Sequence, residues 1–295
     1  MQRITFHNNQ NGLECTFASD TPRTLLTEFD GNSLSAEFAQ YKPIWYDGIR
    51  TKSHTFNGRT ITFTVNWYAV ENGRRSREAA LAEWDRLLGV FAPGLEGTLT
   101  WTNGKETRLI DCYANETPVL HEKAHGLFSA SFSLAADFPF WRGTEEHSQI
   151  LTYTGSGSPS YYTVKNNCAI TVYPLIIAEC TVGSGGGYAI AWQAPAETLE
   201  LDRKMETKSL GIGYSSYTMG GVTNGAPIYF DCRKRCAYQY SGTNAINKTK
   251  YLSPTSSFLS LIPGDNTMVL SGGNLSSALN VTVKWYDYYT GVPSL

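Results

Sequence analysis

The most pointed chemistry in the chain is His121-Glu122-Lys123-Ala124-His125, which has the H-E-x-x-H form of a zinc metallopeptidase. That reaction needs both imidazoles on one helix face, one turn apart, with the glutamate as base to a zinc-bound water. Glu145 and Glu146 follow at a spacing that suits a third ligand. The surroundings argue against a helix. Pro118 precedes the motif, Gly126 follows it, and residues 127–134 alternate as a strand. The motif therefore reads as a polar turn between strands, and no catalytic, cofactor-binding or metal-binding residue is assigned to the chain.

Other catalytic patterns are weaker still. The remaining histidines, His7, His54 and His147, accompany no G-x-S-x-G elbow. Gly183-Ser184-Gly185-Gly186-Gly187 has neither the lysine nor the following helix of a phosphate loop, and reads as a flexible loop. Acidic residues are scattered singly, so no carboxylate pair stands out for glycoside cleavage. The second candidate is aromatic. Tyr161, Tyr162, Trp192, Tyr214, Tyr217, Tyr229, Tyr238, Tyr240, Tyr251, Trp285, Tyr286, Tyr288 and Tyr289 crowd the C-terminal half. Exposed on a sheet, such rings stack on sugars; folded inward, they build a core or a subunit contact. A carbohydrate-binding module is therefore the alternative to a purely structural role.

The elements that must position these residues are mostly strands. Ile61, Phe63, Val65 and Trp67 share one face of an alternating strand, as do Phe128, Ala130, Phe132 and Leu134. Asn11-Gly12 and Asn103-Gly104 mark hairpins. Residues 18–42 are polar and carry no strand signal. The one convincing helix spans 77–91, with Ala80, Trp84, Leu87, Leu88 and Phe91 on one stripe. Arg142–Pro159 is linker-like, dividing the chain into a domain over 1–142, a linker over 143–160 and an all-β domain over 161–295. Strand candidates in the last are 161–165, 168–173, 175–182, 187–193, 197–201, 228–232, 236–240, 267–270 and 279–286, with turn signals suggesting a sandwich. The fold class is mainly β, or β-rich α+β.

Composition narrows the function further. Charged residues make up 17% of the 295 residues, against roughly 25% in an average soluble domain. Net charge is −2, and the largest basic cluster, Arg74-Arg75 with Arg77, is too short for a nucleic-acid binder. There is no apolar run of about 18 residues, so no membrane insertion is expected. The opening Met1–His7 has no apolar signal-peptide core, so the chain is expected to stay in a cytoplasm after synthesis. The six cysteines, lacking zinc-knuckle spacing, are expected as free thiols. Sparse charge implies that part of the surface is covered by other subunits.

An ordered set of segments resembles the distal tail protein family of siphophages, the long-tailed, non-contractile bacteriophages. The set is the opening strand Arg3-Ile4-Thr5-Phe6, the helix from Glu78 to Leu88, and Pro93-Gly94 followed by Gly97-Thr98-Leu99-Thr100-Trp101. Phe132 through Asp137-Phe138-Pro139-Phe140-Trp141 is similar to the family's close of the first domain, with Phe138 inserted. Ile228-Tyr229-Phe230-Asp231, Ser257 through Pro263-Gly264-Asp265-Asn266, and the last strand over 280–289 follow its closing pattern. The resemblance implies a non-enzymatic component of the virion, assembled in the host cytoplasm. It implies an N-terminal β-sandwich domain with one helix that forms a homo-hexameric ring, and a C-terminal galectin-like, jelly-roll β-sandwich on its outside. The ring would join the tail tube protein to a tail-tip protein at the baseplate hub, with a receptor-binding protein or a host cell-surface carbohydrate as further partners.

Overall fold

A computed structural model describes residues 1–42, 50–155, 157–193, 207–213, 224–252 and 256–293. The chain divides into two compact units, Met1–Thr144 with the residues from Tyr289 onward, and Glu145–Tyr288. The first carries β1 (Arg3–Asn8), β2 (Glu14–Ala18), β3 (Thr24–Asp30), β4 (Ala36–Tyr41), β5 (Arg50–Phe56), β6 (Arg59–Trp67), β7 (Ala69–Glu71), β8 (Arg74–Ser76), α1 (Arg77–Val90), β9 (Glu96–Thr102), β10 (Thr107–Ala114), β11 (Val119–Ala124), β12 (Leu127–Ala136) and the start of β13 (Trp141–Tyr153). The second adds β14 (Ser160–Asn166), β15 (Leu175–Glu179), β16 (Val182–Gln193), β17 (Thr207–Gly213), β18 (Ile228–Asp231), β19 (Cys236–Ser241), β20 (Asn244–Asn247), β21 (Gly264–Leu275) and β22 (Leu279–Tyr289).

Alternation builds the first unit. β6 lies antiparallel to β12 with Ile61 opposite Leu134, Phe63 opposite Phe132 and Val65 opposite Ala130. All six side chains are buried, because a period of two sends every second residue to the same face. The sheet runs β12-β6-β3-β2-β1-β9-β10, and β10 returns to β12 through Tyr113–Ala135 and Ala114–Leu134. Where a sandwich was expected, the pairing thus closes into a barrel, which leaves these strands no free edge. Phe132 stacks on Phe63 with centroids 4.8 Å apart, and Phe91 meets Phe132 at 4.7 Å.

Helix α1 begins at Ser76, whose hydroxyl accepts the Ala79 N–H at 3.2 Å, meeting one of the orphan donors of a first turn. It buries Ala80, Leu87 and Val90, and Trp84 stacks on Trp67 at 5.6 Å. Its bounds lie within a residue of those read from sequence. The residues from Tyr289 onward belong to this unit, which the sequence did not suggest. The buried Arg59 guanidinium donates to the carbonyls of Gly31 and Thr290, Asn32 accepts the Val292 N–H at 2.7 Å, and Arg108 lies 4.0 Å over the Tyr289 ring.

Among the described residues the second unit's strands pair in two sheets, β13-β22-β15-β18-β19-β20 and β14-β21-β16-β17. Each alternates buried residues: Val281 and Val283 on β22, Ile190 and Trp192 on β16. Several expectations change here. The linker expected over 143–160 is largely strand, since β13 runs to Tyr153. The glycine run 183–187, read as a loop, lies within β16. A Cβ on Gly186 would come within 2.6 Å of the Gly273 carbonyl, so the neighbouring backbone occupies the space a side chain needs. The strand expected over 168–173 is reduced to a single bridge, Val172 to Leu261. The candidate at 197–201 lies outside the described residues. All six cysteines are free, five of them buried. Burial pushes the thiols of Cys15 and Cys232 up to about 12 and raises Cys112 as well, which withholds the reactive thiolate at neutral pH.

Candidate functional site

The H-E-x-x-H segment does not form a metallopeptidase helix. His121 and Glu122 are successive residues of strand β11 and face opposite ways, while His125 sits in the turn to β12. The Glu122 carboxylate accepts the Gly126 N–H at 3.2 Å and Arg77 Nε at 3.1 Å. These two donors hold its pKa below the usual carboxylate value. Glu122 is therefore a clasp, closing the β11–β12 turn and tying it to the start of α1. Glu146, considered as a third ligand, pairs with Lys284 at 2.7 Å.

The aromatic crowd separates by burial. Tyr188, Trp192, Trp285 and Tyr288 are core residues, and Tyr214 and Tyr217 lie outside the described residues. Tyr229, Tyr238 and Tyr240 come together on one face of β18 and β19. Tyr229 and Tyr238 are direct cross-strand partners, stacked 5.2 Å apart at 6°, and Tyr240 stands edge-on to both at 5.1 and 5.6 Å. Tyr240 is 51% exposed. Desolvation, then the neighbouring Tyr240 and Asp231, push the Tyr238 hydroxyl up to about 12, so Tyr238 keeps its proton across the physiological range.

A feature that sequence reasoning missed lies on the outside of the barrel. Where β3, β6 and β12 run together, a groove of about 420 Å³ is floored by Thr62, Thr64 and Ser131 and edged by Glu28, Asp30 and Glu116. Thr64 donates to Glu28 at 3.2 Å. Asp30 accepts the Ser33 hydroxyl at 2.6 Å and the Asn32 N–H at 3.0 Å, which lower its pKa. The groove is anionic at neutral pH and carpeted with small hydroxyls. The available signal was Thr60, Thr62 and Thr64 alternating with the core residues of β6, but it does not reveal which strands lie beside them. Among the described residues, no group of three or more His, Cys, Asp or Glu side chains is arranged to hold a metal ion.

The fold has solved counterparts. It is shared with the SPP1 Dit (gp 19.1) protein, described as a paradigm of the hub adsorption apparatus in phages that infect Gram-positive bacteria. The TM-score is 0.61 at 15% identity, over 97% of this chain and 99% of that one. A chain of the phage P2 baseplate, in its activated conformation with Ca, aligns over 99% of this chain and 100% of its own, with a TM-score of 0.54 at 10% identity. No family model matches the sequence, and no curated protein matches it. The resemblance to siphophage distal tail proteins and the fold therefore agree, and the fold is that of a phage hub protein.

Proposed function

We propose that the chain is a structural, non-enzymatic hub of a siphophage tail. In this reading the first unit assembles as a homo-hexameric ring at the end of the tail tube, with the tube protein on one side and a tail-tip protein on the other. The two sheets of the second unit support a galectin-like β-sandwich that serves as a docking platform, offering the Tyr229, Tyr238 and Tyr240 face to a neighbouring protein. The chain is made in the host cytoplasm and ends in the virion. The observation that carries the reading is end-to-end agreement: two hub and baseplate chains match this one over nearly their full length and its own. A shared fold alone does not fix a function, so the test is location. Gold-labelled antibodies against the chain should mark the distal end of the tail, where tube meets tip, on particles of the encoding phage. Label confined to the capsid, or absent from purified particles, refutes the proposal.

A further inference from the structure

The basic cluster Arg74-Arg75, too short for nucleic acid, sits on a hairpin of its own. Among the described residues β7 and β8 pair only with each other, joined through Asn72 and Gly73 at φ of 52° and 76°, the two left-handed positions of a tight hairpin turn. Arg74 and Arg75 are both exposed. Arg74 makes no ion pair among the described residues, and the Arg75 guanidinium lies 5.0 Å over the Tyr68 ring. The hairpin's own carboxylate, Glu71, accepts the Ser76 hydroxyl at 3.1 Å. The same unit carries the opposite half of the pattern. In the β3–β6–β12 groove, Glu28 and Glu116 are exposed and make no ion pair among the described residues.

We infer that the β7–β8 hairpin of one copy seats in the β3–β6–β12 groove of the next; Arg74 and Arg75 stand on opposite faces of the hairpin, and each meets one of the carboxylates, Glu28 and Glu116, that edge the groove. The inference rests on the ring reading and names the contact that would build the ring. A second copy is the occupant because every copy brings both halves. The halves are different surfaces, so the contact is head-to-tail, the type that closes into rings. The chemistry matches as well. A planar guanidinium recognises a carboxylate through paired hydrogen bonds, and the hydroxyls of Thr62, Thr64 and Ser131 offer further acceptors. Complementary charge of this kind sets register and excludes wrong pairings more than it adds raw affinity, and it weakens as salt rises.

Charge reversal tests this. One variant carries R74E and R75E, the other E28R and E116R, and thermal melting first establishes that both fold as the wild type does. Light scattering should then show the wild type as a ring, each variant alone as a monomer, and an equimolar mixture as a ring again. The mixture recovers because each variant's hairpin is complementary to the other's groove. Variants that assemble as the wild type does overturn the contact while leaving the ring reading intact. Variants that fail alone and stay monomeric when mixed also overturn it. A wild type that remains monomeric at its highest soluble concentration overturns both the contact and the ring reading.

Discussion

Replacing Phe132 with alanine lowers the stability of the first unit by about 4 kcal/mol, the range for removing a large aromatic ring from a packed core. The ring is 2% exposed and lies against three others, Phe63 at 4.8 Å, Phe91 at 4.7 Å and Phe17 at 5.8 Å. Phe91 follows the helix and Phe17 lies on β2, so this side chain joins three separate parts of the barrel. The backbone around it cannot collapse to fill the space, because the closed sheet fixes the distance between its walls. A loss of this size moves the melting temperature of a unit this large by roughly 10 °C. Phe132→Leu, which keeps most of the volume, costs about 1 kcal/mol. Calorimetry on the two variants checks the order: equal melting temperatures would mean that the aromatic cluster is not the centre of the fold.

Asn266→Ala is expected to cost about 3 kcal/mol in the second unit through lost hydrogen bonds rather than lost volume. Asn266 is fully buried. Its Oδ1 accepts the Ile262 N–H at 2.9 Å and Trp192 Nε1 at 3.0 Å, and its Nδ2 donates to the carbonyls of Ile262 at 2.9 Å, Gly264 at 3.0 Å and Val164 at 3.3 Å. One side chain thus pins the turn before β21 to β14 and β16. Alanine removes the partner of several buried polar groups at once, and too little space is freed for water to replace them. Asn266→Asp should also destabilise, because a carboxylate cannot donate to the three carbonyls. Denaturant melts followed by tryptophan fluorescence measure both. An unchanged midpoint for Asn266→Ala would show that the network contributes nothing net.

Much of this framework was legible in the residues. The phenylalanines of β6 and β12, the helix, and the Asn-Gly hairpins follow from local pattern, because each depends on neighbours within a few positions. The Pro263-Gly264-Asp265-Asn266 turn was visible as a motif, although its role as a buried anchor was not. The failures have physical causes. β3 was hidden in a polar run because a bulge between Leu26 and Glu28 shifts the register against β6, breaking the alternation that identifies a strand. β13 looked like a linker because, of Glu145–Tyr153, only Leu151 and Tyr153 are buried. Barrel closure rests on the pairing of Tyr113 and Ala114 with β12, a long-range choice that no local pattern encodes. The groove was lost with β3, since Glu28 and Asp30 belong to that strand, while the hairpin that would fill it was visible only as a short basic cluster.

The central claim, a ring-forming structural hub, is tested most directly by the mass and shape of the purified chain. Each copy weighs 32.6 kDa. Light scattering should give about 196 kDa for six copies in a closed cyclic assembly, and negative-stain images should show a six-fold ring with a central opening. A species that stays at 32.6 kDa at the highest soluble concentration, with no rings in the images, would contradict the account.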